Sequence, residues 1–202
     1  MNAVLSGVLA LLLLAAPLAS PAAADDAQSI VRETTEKVLA ALRSEGDTLK
    51  DDPKRLHAII EQLILPHFDF RQMSQWVLGP HWRSASPEQR DAFVEQFEAL
   101  LVRTYSSALV DYRNQRVNYL PARERSADEV TVRAIIDQGG GPAIPIAYEM
   151  HRSDTGWKVY DVAIDGVSLV INYRSSFGHE IRRNGIDGLI QRLASKNLAD
   201  NG

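Results

Sequence analysis

Asp161 and Asp165 stand four residues apart in WKVYDVAIDG, a run whose alternating apolar residues predict a strand. On a strand both carboxylates point to one face. A carboxylate buried there would have its pKa raised by desolvation and could act as a general base in an isomerase or hydratase. In the plainer reading Asp165 turns the chain before Gly166 and Asp161 occupies a solvated or edge position. That reading is preferred, because no second acid–base partner and no oxyanion donor is suggested nearby.

Other reactive constellations fail on spacing. His57, His67, His81, His151 and His179 do not recur on one helix face as metal ligands do. His179 and Glu180 are adjacent and would point apart on a helix, so no metal site is expected. Gly139-Gly140-Gly141 lacks a following Lys and helix start, so it reads as a turn between strands rather than a phosphate cradle. Ser168 has Gly166 two residues before it but Val170 two after, which breaks the nucleophile-elbow pattern. There is no cysteine, so neither a thiol nucleophile nor a disulfide framework is available.

The elements around these residues follow from periodicity. Asp25–Arg43 reads as a helix, with Ile30, Val31, Thr34, Val38 and Leu42 at helical spacing. Asp52 and Pro53 open a second helix that Pro66 stops, and Phe68–Leu78 forms a third that Gly79-Pro80 closes. Ser86-Pro87-Glu88-Gln89 is a capping-box start. It leads a long helix through Phe93, Phe97, Leu100, Leu101, Ala108, Leu109 and Tyr112. Beyond Asn114 the period changes to two. Strands begin at Val117, Val130, Ile144 and Trp157, joined by short turns that imply an antiparallel meander. After the Asp165-Gly166 turn, Val167, Leu169, Val170, Tyr173 and Phe177 suit a helix to about Arg183, and a last helix runs from Ile186 to about Lys196. Helices, then strands, then helices predict one α+β domain: a curved antiparallel sheet of about four strands flanked by N-terminal and C-terminal helices.

Totals narrow the function classes. Of 202 residues, Val8–Ala16 form an apolar run of signal-peptide length, broken by Pro17 and Pro21 and followed by Ala22-Ala23-Ala24. Residues 1–24 are therefore expected to be a cleaved export signal, although no Lys or Arg precedes the run. Residues 25–202 would form the mature domain. The formal net charge of −4 is a poor match for nucleic acid, whose binding needs phosphates neutralised by Lys and Arg. Arg174, Arg182, Arg183, Arg192 and Lys196 make the C-terminal helices basic. Asp25, Asp26, Glu33, Glu36 and the 47–52 segment make the start acidic. As groups these faces could attract an anionic headgroup or a charged partner. The apolar residues of the sheet and long helix could equally fill a core or line a cavity, since periodicity does not separate the two.

FDFRQMSQWVLGPHW (68–82), SPEQRDAFVEQFEALLVRTY (86–105), WKVYDVAIDGVSLVINYRSSF (157–177) and GIDGLIQRL (185–193) together resemble the MlaC-type periplasmic phospholipid carriers, the toluene-tolerance or ABC-transporter auxiliary family. The resemblance spans the mature chain and is most specific in the VYDV–I–GVSL–YR–F block. It implies a non-enzymatic, cofactor-free shuttle in the periplasm of a Gram-negative bacterium, with acyl tails in an apolar cavity between sheet and helices and the headgroup outside. It also implies exchange of phospholipid with an MCE-type substrate-binding subunit of an inner-membrane ABC transporter and with an outer-membrane lipoprotein–porin complex, maintaining outer-membrane lipid asymmetry. Under this reading the lining candidates are Phe97, Leu101, Tyr105, Val132, Ile146, Tyr148, Val162, Ile164, Val167, Leu169, Val170, Tyr173 and Phe177, with Arg174 at the rim. The competing readings are the cone-shaped α+β isomerase or hydratase using Asp161 or Asp165, and a structural adaptor with a filled core.

Overall fold

The computed structural model describes residues 22–111 and 114–199. The expected signal segment lies largely outside them, as does Tyr112 of the long helix. Helix α1 (Ala22–Glu45) carries its buried stripe on Ala27, Val31, Val38 and Leu42. A 3-10 turn, Gly46–Lys50, buries Leu49. Helix α2 (Pro53–Leu63) begins at Asp52, whose carboxylate accepts from the Arg55 N–H at 3.0 Å. Asp69 caps α3 (Phe70–Leu78) in the same way, accepting from the Gln72 N–H at 2.8 Å. A short helix that the sequence reading lacks, α4 (Pro80–Ser84), follows Gly79. The capping box at the start of α5 (Pro87–Asp111) is formed in both directions: the Gln89 N–H donates to Ser86 Oγ at 3.2 Å, and the Ser86 N–H to Gln89 Oε1 at 3.0 Å.

The strands are β1 (Arg116–Ser126), β2 (Glu129–Asp137), β3 (Ile144–Ser153), β4 (Gly156–Ile164) and β5 (Val167–Ser168). They pair antiparallel in chain order, a meander with β1 and β5 at its edges. The fifth strand is the difference from the expected four. Asp165 and Gly166 both have positive φ (51° and 79°), which makes the two-residue loop twist-compatible with a hairpin. Val167 then pairs back onto Ile164 before the chain enters a helix.

Helix α6 (Leu169–Ala199) runs to the end of the described chain, broken at Gly185, where φ is 72° and ψ is 176°. That kink lies between the two C-terminal helices expected from the sequence. On the sheet, Val130, Val132 and Ala134 are buried, while Thr131 and Arg133 between them face outward. On that outer face Thr131 donates to Glu149 on the neighbouring strand at 2.9 Å.

The interior consists of two packed clusters rather than one. The larger joins the sheet, the start of α1, α3, the first half of α5 and α6, with Phe93, Phe97, Val130, Met150 and Leu189 fully buried. The smaller joins the second half of α1, the 3-10 turn, α2 and the far end of α5 through Val38, Leu42, Leu49, Leu56, Ile59, Ile60 and Val110. Helices α1 and α5 therefore run through both.

Candidate functional site

Between the two clusters lies a cavity of about 330 Å³. This is within the roughly 300–1,000 Å³ of small-molecule sites. Its sheet wall is built from Val117, Ala134, Ile136, Ile144, Ile146, Tyr148, Met150, Val159, Val162 and Ile164. Helix α1 supplies Ile30, Val31, Thr34, Thr35, Val38, Leu39 and Leu42. The chain from α2 to α3 adds Ile60, Ile64, Leu65, His67, Phe68, Phe70 and Met73. Helix α5 adds Leu101, Val102, Tyr105, Ser106, Ala108 and Leu109, and α6 only Leu169.

The segment linking α2 to α3 is tied to the end of the sheet. The Asp69 N–H donates to the Val159 carbonyl at 2.9 Å, Phe68 makes a bridge to Val159, and His151 Nε2 lies 3.0 Å from Asp69 Oδ2. Asp69 thus caps α3 with its carboxylate, which also meets His151 on β3, while its N–H ties the helix start to β4.

Among the described residues no Asp, Glu, Lys or Arg lines the cavity. Its titratable groups are His67, Tyr105 and Tyr148. Burial pushes the His67 pKa down, helped by Lys158 and Lys37, so the imidazole is neutral at neutral pH. Burial pushes the hydroxyl of Tyr105 up to about 12, with Tyr173 adding to the shift. Burial likewise pushes Tyr148 up to about 12. The wall is therefore uncharged across the neutral range. Such a surface offers hydrocarbon a favourable environment and gives an ion nothing to replace its hydration.

Of the residues expected from sequence to line a cavity, Leu101, Tyr105, Ile146, Tyr148, Val162, Ile164 and Leu169 lie on this wall. The others do not. Phe97 is fully buried one turn before Leu101, where α5 faces α6. Its ring packs against Phe93 at 5.6 Å, Tyr173 at 5.3 Å and Phe177 at 6.1 Å between centroids. Tyr173 and Phe177 belong to this aromatic cluster, and Val170 and Val132 are buried in the main core. Val167 is 57% exposed, because the hairpin places it on the edge strand beyond the wall. Arg174 does not line the cavity. It is exposed, and its guanidinium lies over Gly79, where a Cβ would meet Nη2 at 3.0 Å. Gly79 has φ 55° and ψ −122°, a conformation that calls for glycine whatever the mobile Arg174 side chain does.

The contributions of α1 and of the α2–α3 segment were missed by the sequence reading. One signal was present: Ile30, Val31, Thr34, Val38 and Leu42, with Leu39 beside them, make a stripe too wide for one helix contact.

The two carboxylates first considered as bases have structural roles. Asp161 Oδ1 accepts from the Val170 N–H at 3.1 Å, and Oδ2 accepts from the Ser168 hydroxyl. Ser168 Oγ in turn accepts from the Ile171 N–H at 3.1 Å. Together they cap the N-terminus of α6, where a negative charge also meets the helix dipole favourably. Asp165 is exposed in the turn, and its N–H donates to the Pro145 carbonyl at 2.9 Å. Neither reaches the cavity wall, so the isomerase reading has lost its base. Asp161→Ala is expected to lower stability by about 1–2 kcal/mol while leaving the cavity's contents unchanged. Chemical denaturation and lipid analysis of the same sample check both halves.

Residues 32–195 match the family model described as MlaC protein. The chain belongs to the MlaC family. A relative from Pseudomonas putida, the toluene tolerance protein ttg2D, is 28% identical over 209 residues, covering 100% of this chain and 97% of that protein. The intermembrane phospholipid transport system binding protein MlaC of Haemophilus influenzae is 27% identical over 168 residues, covering 81% of this chain and 78% of that one. Among solved structures, a phospholipid-binding protein from Ralstonia solanacearum in complex with a phospholipid superposes with a TM-score of 0.79 at 34% identity, over 86% of this chain and 98% of that chain. The MlaC fold of this chain thus shares its sheet and helices with a protein seen holding a lipid. Among the described residues no helix is long and apolar enough to cross a membrane.

Proposed function

We propose that this protein is a periplasmic phospholipid carrier, exported by a signal segment cleaved near Ala24, that holds the acyl tails of its cargo in the cavity between its two packed clusters. It performs no covalent chemistry. It exchanges lipid with an MCE-type substrate-binding subunit of an inner-membrane ABC transporter and with an outer-membrane lipoprotein–porin complex, and so maintains outer-membrane lipid asymmetry. The observation that carries this reading is the uncharged apolar cavity in a fold whose Ralstonia relative was solved with a phospholipid.

Energetics suit such a role. Each buried methylene is worth about 0.8 kcal/mol against water, so release of a lipid into solution is strongly opposed. A bilayer buries the same methylenes, so transfer from protein to membrane is close to balanced. Contacts made on docking can then tip it either way. Tails make most of the contact, so selectivity for them should exceed selectivity for headgroups.

The test is organic extraction of natively purified protein followed by mass spectrometry. Phospholipid near one equivalent per chain is the expected result. Repeated preparations without lipid, together with failure to take up added lipid, would refute the carrier reading.

A further inference from the structure

One end of the cavity departs from hydrocarbon. His67, in the segment that links α2 to α3, lines it and is only half-buried, and Pro66 beside it is exposed, so the cavity comes close to the surface there. The Lys158 ammonium donates to the Pro66 carbonyl, which fixes that cation next to His67. Lys37 approaches from α1, one turn after Thr34, which also lines the cavity. The charges of Lys158 and Lys37 both act on the imidazole. Two cations thus stand at one end of an uncharged wall.

Little answers them within the chain. Lys37 has Glu33 at 3.9 Å, but both side chains are exposed, and an ion pair of that kind contributes little. Asp69, two residues after His67, is already engaged by the Gln72 N–H at 2.8 Å and by His151 at 3.0 Å. Lys158 keeps two N–H groups after its bond to Pro66. Like charges brought together favour an anion between them. The apolar wall beyond His67 requires that anion to belong to a molecule whose other part is hydrocarbon.

We propose that Lys37, Lys158 and a ring N–H of His67 form an anion site that seats the phosphodiester of the cargo, placing its headgroup beside the α2–α3 link and its tails against the sheet wall. This rests on the carrier reading above. Ammonium groups bind phosphate oxygens as point charges, so the site reads the phosphate and leaves the rest of the headgroup unselected.

The test uses the delipidated full chain and vesicles containing equal amounts of a diacyl phosphatidylglycerol and the diacylglycerol with the same tails. Native mass spectrometry reads which lipid loads. Lys37→Gln with Lys158→Gln should lower the phosphatidylglycerol-to-diacylglycerol ratio by about tenfold, as two partly exposed charge-assisted contacts would give, while total loading persists. Lys37→Arg with Lys158→Arg should keep the wild-type ratio. Salt at about 1 M, which screens beyond about 3 Å, should lower the wild-type ratio and leave that of the Gln pair unchanged. Excess inorganic phosphate should do no more than chloride of equal ionic strength, because the tails hold the headgroup in place. A ratio that the Gln pair does not change overturns the site and leaves the carrier reading standing. A fall in the Arg pair as large as in the Gln pair does the same, since charge would then not be what was removed. If inorganic phosphate alone abolishes the preference, the cations hold free phosphate and the lipid assignment falls. Loading of neither lipid overturns both the site and the carrier reading.

Discussion

Ala134→Trp is expected to yield a folded protein with almost no lipid. Ala134 is 2% exposed, sits mid-sheet between Tyr119 and Ile146, and directs its methyl group into the cavity. In a filled core such a substitution would cost about 1–3 kcal/mol in strain. Here the indole has a space of about 330 Å³ to enter, and aromatic residues suit a strand. The same ring then stands where tails would lie. Displacing only four methylenes into water forfeits about 3 kcal/mol, or more than a hundredfold in occupancy. Ala108→Trp, from α5 on another wall, should act similarly. The measurement is the lipid-to-protein ratio after extraction, with circular dichroism to confirm folding. A folded Ala134→Trp protein carrying lipid at the wild-type ratio would show that tails do not occupy this space.

Phe97→Ala should be the most damaging single truncation for stability, at about 3–5 kcal/mol. Its ring is fully buried and contacts three other rings within about 6 Å, so its removal leaves a hole that packed neighbours can only partly close. Ile146→Ala removes an aliphatic side chain from the cavity wall, where one side already faces open space. Part of its dispersion contact is absent to begin with, so the loss should be about 1–2 kcal/mol. Urea denaturation of the two variants, freed of lipid, provides the comparison. Equal losses would mean that the boundary between solid core and cavity is drawn in the wrong place.

Phe97 and Leu101 also show where sequence reading stops. Both lie on one apolar stripe of α5, and a period of 3.6 residues places them together on one face. Which neighbour covers that face at each turn is decided by residues far away in the chain: Tyr173 and Phe177 of α6 over Phe97, open space over Leu101. No local pattern records this. Features that depend on a few adjacent residues were legible. The capping box at Ser86 and Gln89 is formed as expected, Asp52 caps α2 as expected, and the four main strands begin within a residue of where alternation predicts. Val167 is the intermediate case. Its spacing fits a helix, but the positive φ values of Asp165 and Gly166 return the chain to the sheet for two residues first. Asp161 was weighed as a base because its spacing from Asp165 puts both carboxylates on one face of a strand, whereas the Val170 N–H and Ser168 hydroxyl that occupy it could not be read from spacing.

The division of the interior into two clusters along a hollow seam bears on how long the molecule survives. If tails fill that seam, cargo adds stability to the folded form alone, in proportion to the logarithm of its supply. An unladen molecule is then the one that opens most readily to proteases. Its abundance in the cell would rise and fall with the traffic it carries, with no dedicated sensor required.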